Sequence, residues 1–329
     1  MRKLTSVATL CVILLTAGCI EKVQTGEELT GDYLGQKPPT EATLFAPGIV
    51  STGFSERDFA ITPDGNEIFY TLMWGNQGVI LRVVREDGMW GEPEVAPFSG
   101  KYSDLEPFIS PDGSKLYFVS TRPLEGTEEK DCDIWICDRI DDEWGEPYNI
   151  GEPVSTDKNE FFPSVTNSGT LYFTAVYDGR ENRDDLYRAE FKNGAYEKPV
   201  LLPEEINTLN YEYNQFIAPD ESYLIYSAYG REGEQGRGDM YINFRDTEGN
   251  WSKAINLGDA VNSPLHEYCP YVTRDGKYLF FTSARTTVSL DSLPEVTYDN
   301  LRRALNAPGN GSQDVYWIDA SFIKSLAIE

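Results

Sequence analysis

The chain has 329 residues, with 28 lysines and arginines against 54 aspartates and glutamates, and its formal charge is −26. So acidic a surface repels nucleic acid and anionic headgroups, which argues against a DNA-facing protein and favours solubility, cations or basic partners. A single histidine and the lack of any C-x-x-C pair argue against zinc, and no Gly-x-Ser-x-Gly elbow or Gly-rich phosphate loop is present.

Residues 1–18 read as a secretory signal: Arg2 and Lys3 open it, and the apolar run 7–15 is too short to span a bilayer. It ends Leu15-Thr16-Ala17-Gly18-Cys19, which resembles a bacterial lipobox with Cys19 as the lipidated residue. Acyl chains, at roughly 0.8 kcal/mol per buried CH₂, would hold the protein on a membrane. Ile20 in place of aspartate implies, by resemblance to enterobacterial lipoproteins, an outer-membrane lipoprotein facing the periplasm. Residues 19–42 are polar and proline-containing and read as a flexible tether. No nucleic-acid partner is expected. Three cysteines remain after processing, Cys132, Cys137 and Cys269, and an odd number cannot all pair within one chain.

From residue 43 the chain repeats. Five times an apolar strand meets a tight turn and a second, aromatic strand. The turns are Pro63-Asp64-Gly65, Pro111-Asp112-Gly113, Asn167-Ser168-Gly169, Pro219-Asp220-Glu221 and Arg274-Asp275-Gly276, with third residues 48, 56, 52 and 55 positions apart. Trp90, Trp144, Tyr196 and Trp251 form a second series in step with the first, and Asp133, Asp185, Asp239 and Asp314, each opening an Asp-x-aromatic run, form a third. A period near fifty in an all-β pattern predicts a propeller, because one unit cannot bury its own apolar faces. The expected fold is an all-β, five-bladed propeller of four-stranded blades over 43–320, with a tail at 321–329. Each blade is expected to end in an outer strand led by the tryptophan or tyrosine. The fifth repeat lacks that strand, and 43–46 is expected to supply it and close the ring. The fifth repeat also carries an insertion, 286–313, with a helix over 297–306 capped by Thr297 and stopped at Pro308.

Pro-Asp-Gly followed by Leu-Tyr-Phe, then Asp-x-Tyr, then Trp-Gly-x-Pro resembles the WD40-like propeller repeat of TolB-type periplasmic proteins, over roughly 43–320. The resemblance implies binding or assembly, with an envelope protein, peptide or glycan as partner. It carries over no catalytic set and no cofactor.

Two layers of residues stand out on the inner strands. Nine positions before each turn's third residue stands an acid: Glu56, Asp104, Glu160, Glu212 and Glu267. These read either as an acidic ring at the channel mouth, suited to a divalent cation, a basic peptide or sugar hydroxyls, or as five structural acceptors of backbone N–H groups. Seven positions before, the residues diverge to Asp58, Glu106, Phe162, Asn214 and Cys269. With Glu56 and Asp104, Asp58 and Glu106 form four acids on neighbouring blades. That clustering opens the alternative of a carboxylate-dependent glycan-active enzyme or a metal-dependent sugar-binding protein, with Asp58 and Glu106 as its catalytic pair. Arg122, Arg180, Arg231 and Arg285 follow second strands and are expected to pair with the aspartate that opens each third strand.

Overall fold

A computed structural model describes residues 29–126, 128–177, 179 and 183–327; the signal, Cys19 and Arg180 lie outside the described residues. Five antiparallel sheets stand around a central channel, with inner strands Glu56–Ile61, Asp104–Ile109, Glu160–Val165, Tyr211–Ile217 and Glu267–Val272. Each inner strand packs on the next and the fifth on the first, so the ring is complete. The chain is a five-bladed β-propeller.

Closure follows the expected route. Thr43 and Leu44 pair with Trp317 and Tyr316 as the outer strand of blade 5, and the Phe45 amide donates to the Val315 carbonyl. The N-terminal strand thus covers an edge that an open array would leave bare.

Outer strands differ from expectation in one respect. In blade 2, Trp144 pairs with Arg139 at the tip of a hairpin, and a separate pair, Tyr148–Asn149, forms the outer edge against Trp135 and Ile136. Blade 1 is split in the same way. Pro147 stands in the break, where its missing N–H costs no ladder bond.

Residues 29–42, read as tether, instead pack on the propeller. The Trp90 indole donates to the Gly31 carbonyl at 2.8 Å, Leu34 is buried, and the Tyr33 ring lies 5.0 Å from that of Tyr278. Leu29, Tyr33 and Leu34 supply enough apolar surface to dock a segment whose average composition is polar. Helix α1 (Tyr298–Leu305) starts at Thr297, whose hydroxyl accepts from the Asn300 amide. A second short helix, Phe322–Leu326, buries Ile323. No helix among the described residues is long and apolar enough to cross a membrane.

Antiparallel order gives the disc two faces. The lower face carries the five tight turns; the upper carries the loops into each inner strand and the 286–313 insertion. At Gly53 an added Cβ would lie 2.3 Å from the Asn306 carbonyl oxygen, and Asn310 donates to the Gly53 carbonyl. The insertion is therefore seated on the loop into blade 1, and only glycine permits so close an approach there.

Candidate functional site at the channel

All five inner strands carry the same irregularity. Their pairing register slips by one step, between Arg57 and Ala60 in blade 1 and at the corresponding place in the others. At each slip one non-glycine residue takes a left-handed conformation: Asp58, Glu106, Phe162, Asn214 and Cys269, with φ from 48° to 61°. Such residues are uncommon and cost of order 1–3 kcal/mol each, so five in register mark a built feature of the channel. Proline follows three of them (Pro107, Pro163, Pro270), where the bulge leaves the ladder no use for an N–H.

Three of the freed amides are taken up across blade boundaries. Asp58, Glu106 and Asn214 donate to the hydroxyls of Thr282, Thr71 and Thr174, each on the second strand of the preceding blade. Blade 2 has Val119 at the equivalent position, with no hydroxyl. There the Glu106 side chain substitutes, accepting from the Phe162 amide at 2.7 Å.

Arg57 joins this layer. Its guanidinium is 2.8 Å from both Asp58 Oδ1 and Glu106 Oε1, 3.3 Å from Cys269 Sγ, and lies over the Tyr268 ring. The divergent layer is thus brought together as a buried cluster in which one cation bridges two carboxylates. Burial still pushes the Glu106 carboxyl upward, with Arg57 opposing it, and pushes the Cys269 thiol up as well. Arg57 and the neighbouring aromatics were not singled out from the sequence. Beside the cluster, Tyr213 Oη and His266 Nε2 are 2.8 Å apart, and the His266 ring stacks on Tyr268. Burial holds the His266 imidazole below its ordinary pKa.

The five acids of the other layer are placed differently. Glu56, Asp104, Glu160, Glu212 and Glu267 are all buried. Four of them close a turn with the residue four places earlier: Glu212, for example, accepts from the Thr208 amide at 2.9 Å and its hydroxyl at 2.7 Å, and Glu267 does the same with Ser263. Thr52 and Thr156 serve Glu56 and Glu160. Asp104 instead accepts from Ser99 and Ser120. These carboxylates therefore fasten the upper loops to their own blades and do not join Asp58 and Glu106. Among the described residues, no group of three or more His, Cys, Asp or Glu side chains is placed to hold a metal.

The arginines behave otherwise than expected. Arg122 pairs with Asp104, Arg231 with Glu212 and Arg285 with Glu267, while the third-strand aspartates take other partners, as Asp239 does from Asn256. Each of these guanidinium groups also donates to a carbonyl of the upper loop: Phe98, Ile206 or Val261. The inner-strand acid lies on that path and the third-strand aspartate does not.

Glu56 has no salt bridge among the described residues, and burial pushes its carboxyl up to about 7; burial pushes Glu160 up to about 8. A folded-state pKa above the unfolded value of about 4.5 means the folded protein holds the proton more tightly. That stabilisation is complete below about 4.5 and is lost as pH rises through 7 to 8. His266, with its pKa lowered, acts in the opposite sense but is one group. The melting temperature is expected to be several degrees higher at pH 5 than at pH 8, and less pH-dependent in Glu56→Gln/Glu160→Gln. A higher melting temperature at pH 8 would show that other groups govern.

No family model matches the chain, and no curated protein matches it. Solved structures do resemble it in shape. It is similar to a glycoside hydrolase (10% identity, 88% of this chain and 93% of that one, TM-score 0.53). It is similar to BT0996 as solved in an RGII complex (10%, 87% and 92%, 0.52). A TolB protein from Agrobacterium tumefaciens is also similar (14%, 81% and 90%, 0.47). At 10% identity the likeness to the first two shows the fold alone.

Proposed function

We propose that this chain is a non-enzymatic binding module of the bacterial envelope, held by a lipid on Cys19 at the outer membrane and facing the periplasm, whose upper face grips a protein or peptide partner. The observation that carries this reading is the concentration of exposed apolar side chains on the upper face. More than half of the large apolar side chains exposed among the described residues stand on that face, among them Trp74, Phe54, Leu209, Tyr211, Tyr229 and Tyr298. Trp74 is 84% exposed and Leu209 83%. An excess of exposed apolar side chains on one face of a protein of charge −26 supports a docking role for that face, since solvent alone gives no reason to keep them there. The acidic remainder of the surface favours a basic rim on the partner.

The alternative, a glycan-active enzyme working through Asp58 and Glu106, has less support. Both acids are committed to Arg57, Glu106 also holds the Phe162 amide, and Glu56 and Asp104 are engaged in their own loops.

Crosslinking in intact envelopes tests the proposal. Wild-type protein is expected in the membrane fraction with one dominant crosslinked partner. Trp74→Ala/Leu209→Ala should lose the partner and stay in the membrane fraction, while Cys19→Ala should leave it. A double variant that retains the full crosslink would remove the upper face from the account. Turnover of a glycan by the purified protein would reverse the ranking of the two readings.

A further inference from the structure

The lower face carries two adjoining cavities, of about 340 and 460 Å³, within the size range of ligand pockets. They share Ser110, Pro111 and Arg274, so together they form one trough. Its inner end lies over the channel mouth, floored by Phe108, Phe216 and Tyr271. Its outer end follows the seam between blades 2 and 3, walled by Tyr117, Tyr148, Phe191 and Tyr196.

A local exchange explains why this seam is open. Between blades 1 and 2 the Trp144 indole donates to Glu67 at 2.7 Å and Arg139 pairs with the same carboxylate at 2.9 Å, so side chains of blade 2 bridge the seam to blade 1. Between blades 2 and 3 the equivalent residues are Lys115 and Tyr196. Lysine offers a phenol no acceptor. Its ammonium goes to Asp138 and the Tyr148 hydroxyl, and the Tyr196 hydroxyl meets that of Tyr117, at 3.2 Å.

A tight hairpin builds the wall so exposed. Phe191 and Tyr196 face each other across a two-residue hairpin turned by Asn193 and Gly194, both at positive φ, with ring centroids 5.0 Å apart. Tyr148 and Phe191 remain 41% and 43% exposed. Polar groups share the lining, among them the Tyr148 hydroxyl, Asn167, Glu152 and Arg274. Arg274 occupies a turn position that is proline in three of the other blades, and it makes no ion pair among the described residues.

We infer that this trough binds a linear oligosaccharide. Half-exposed aromatic faces offer stacking surfaces to the apolar C–H faces of sugar rings. Donors and acceptors in the same lining match the spread of hydroxyls along a sugar chain, and a trough continuous over two cavities suits several linked rings. Lys115 is already engaged by Asp138, so Arg274, without an ion pair among the described residues, is the cation left to hydrogen-bond hydroxyl or carboxylate oxygens of the sugar chain. This site lies on the opposite face from those exposed apolar side chains and stands independently of the partner proposed there.

An array of linear oligosaccharides of about four to eight sugars, neutral and uronate-bearing, tests the inference beside an array of peptides. The wild-type protein is expected to retain at least one oligosaccharide. Tyr148→Ala, Phe191→Ala and Arg274→Ser should each weaken that binding about tenfold, while Trp74→Ala leaves it unchanged. Circular dichroism of each variant separates loss of binding from loss of fold. No retained sugar, a retained sugar indifferent to all three changes, sensitivity to Trp74→Ala, or trough-dependent binding of peptides alone would each overturn it. Loss of the upper-face partner would leave it standing.

Discussion

Phe45→Ala is expected to lower stability by about 3–5 kcal/mol, the range for deleting a fully buried aromatic side chain. The ring has no exposed surface and meets Phe59 of blade 1 and Phe280 and Trp317 of blade 5, with centroids 5.1–5.3 Å away. It follows directly on the closing strand, so the cavity would open at the one seam where the two ends of the chain are joined. Loss of contact there loosens both the packing and the pairing of Thr43 and Leu44 with blade 5. A fall in melting temperature of roughly 10 °C is expected for a domain of this size. Phe54→Ala, nearby in sequence but exposed on the upper face, should change it little. Calorimetry on both variants decides the matter. A shift of only a degree or two for Phe45→Ala would mean that the N-terminal strand is not what holds the ring shut.

Glu106→Ala is expected to cost a similar amount, about 3–5 kcal/mol, because it leaves Arg57 half-paired in a buried setting and strands the Phe162 amide. Glu106→Gln keeps an acceptor for the amide and should cost less. A rescue separates the two contributions. Val119 stands where Thr71, Thr174 and Thr282 accept the equivalent amide in other blades. Val119→Thr should therefore return about 1–2 kcal/mol in the Glu106→Ala background, the value of one buried hydrogen bond to a donor otherwise unpaired. In the wild-type background, with Glu106 already holding the amide, the same change should give no gain. Urea unfolding of the four proteins measures the coupling as a double-mutant cycle. Additive effects would show that Glu106 does not stand in for the missing hydroxyl, and would free its carboxylate for other roles.

The number of blades, the closing strand and the helical insertion were legible in the amino-acid order because each is written locally. A tight turn needs its Asp and Gly wherever the blade stands, and Thr297 caps its helix with a neighbour three residues on. Even the layer of Asp58, Glu106, Phe162, Asn214 and Cys269 could be marked as divergent by counting from the turns. What they do could not be read this way. Their left-handed backbone follows from a bulge whose freed amides are taken up by the preceding blade, and the single bridging arginine meets partners 49 and 212 residues away. The arginines after the second strands show the same limit: sequence order suggested the aspartate ahead of them, and the folded loops placed an inner-strand acid within reach instead. Residues 29–42 look like a tether by composition, yet three apolar side chains find a surface that exists only once blades 1 and 5 are side by side. Local pattern determined the repeating unit of this protein. The contacts between units, which decide burial, charge pairing and where cavities open, arise from the closed ring and are not written in any one repeat.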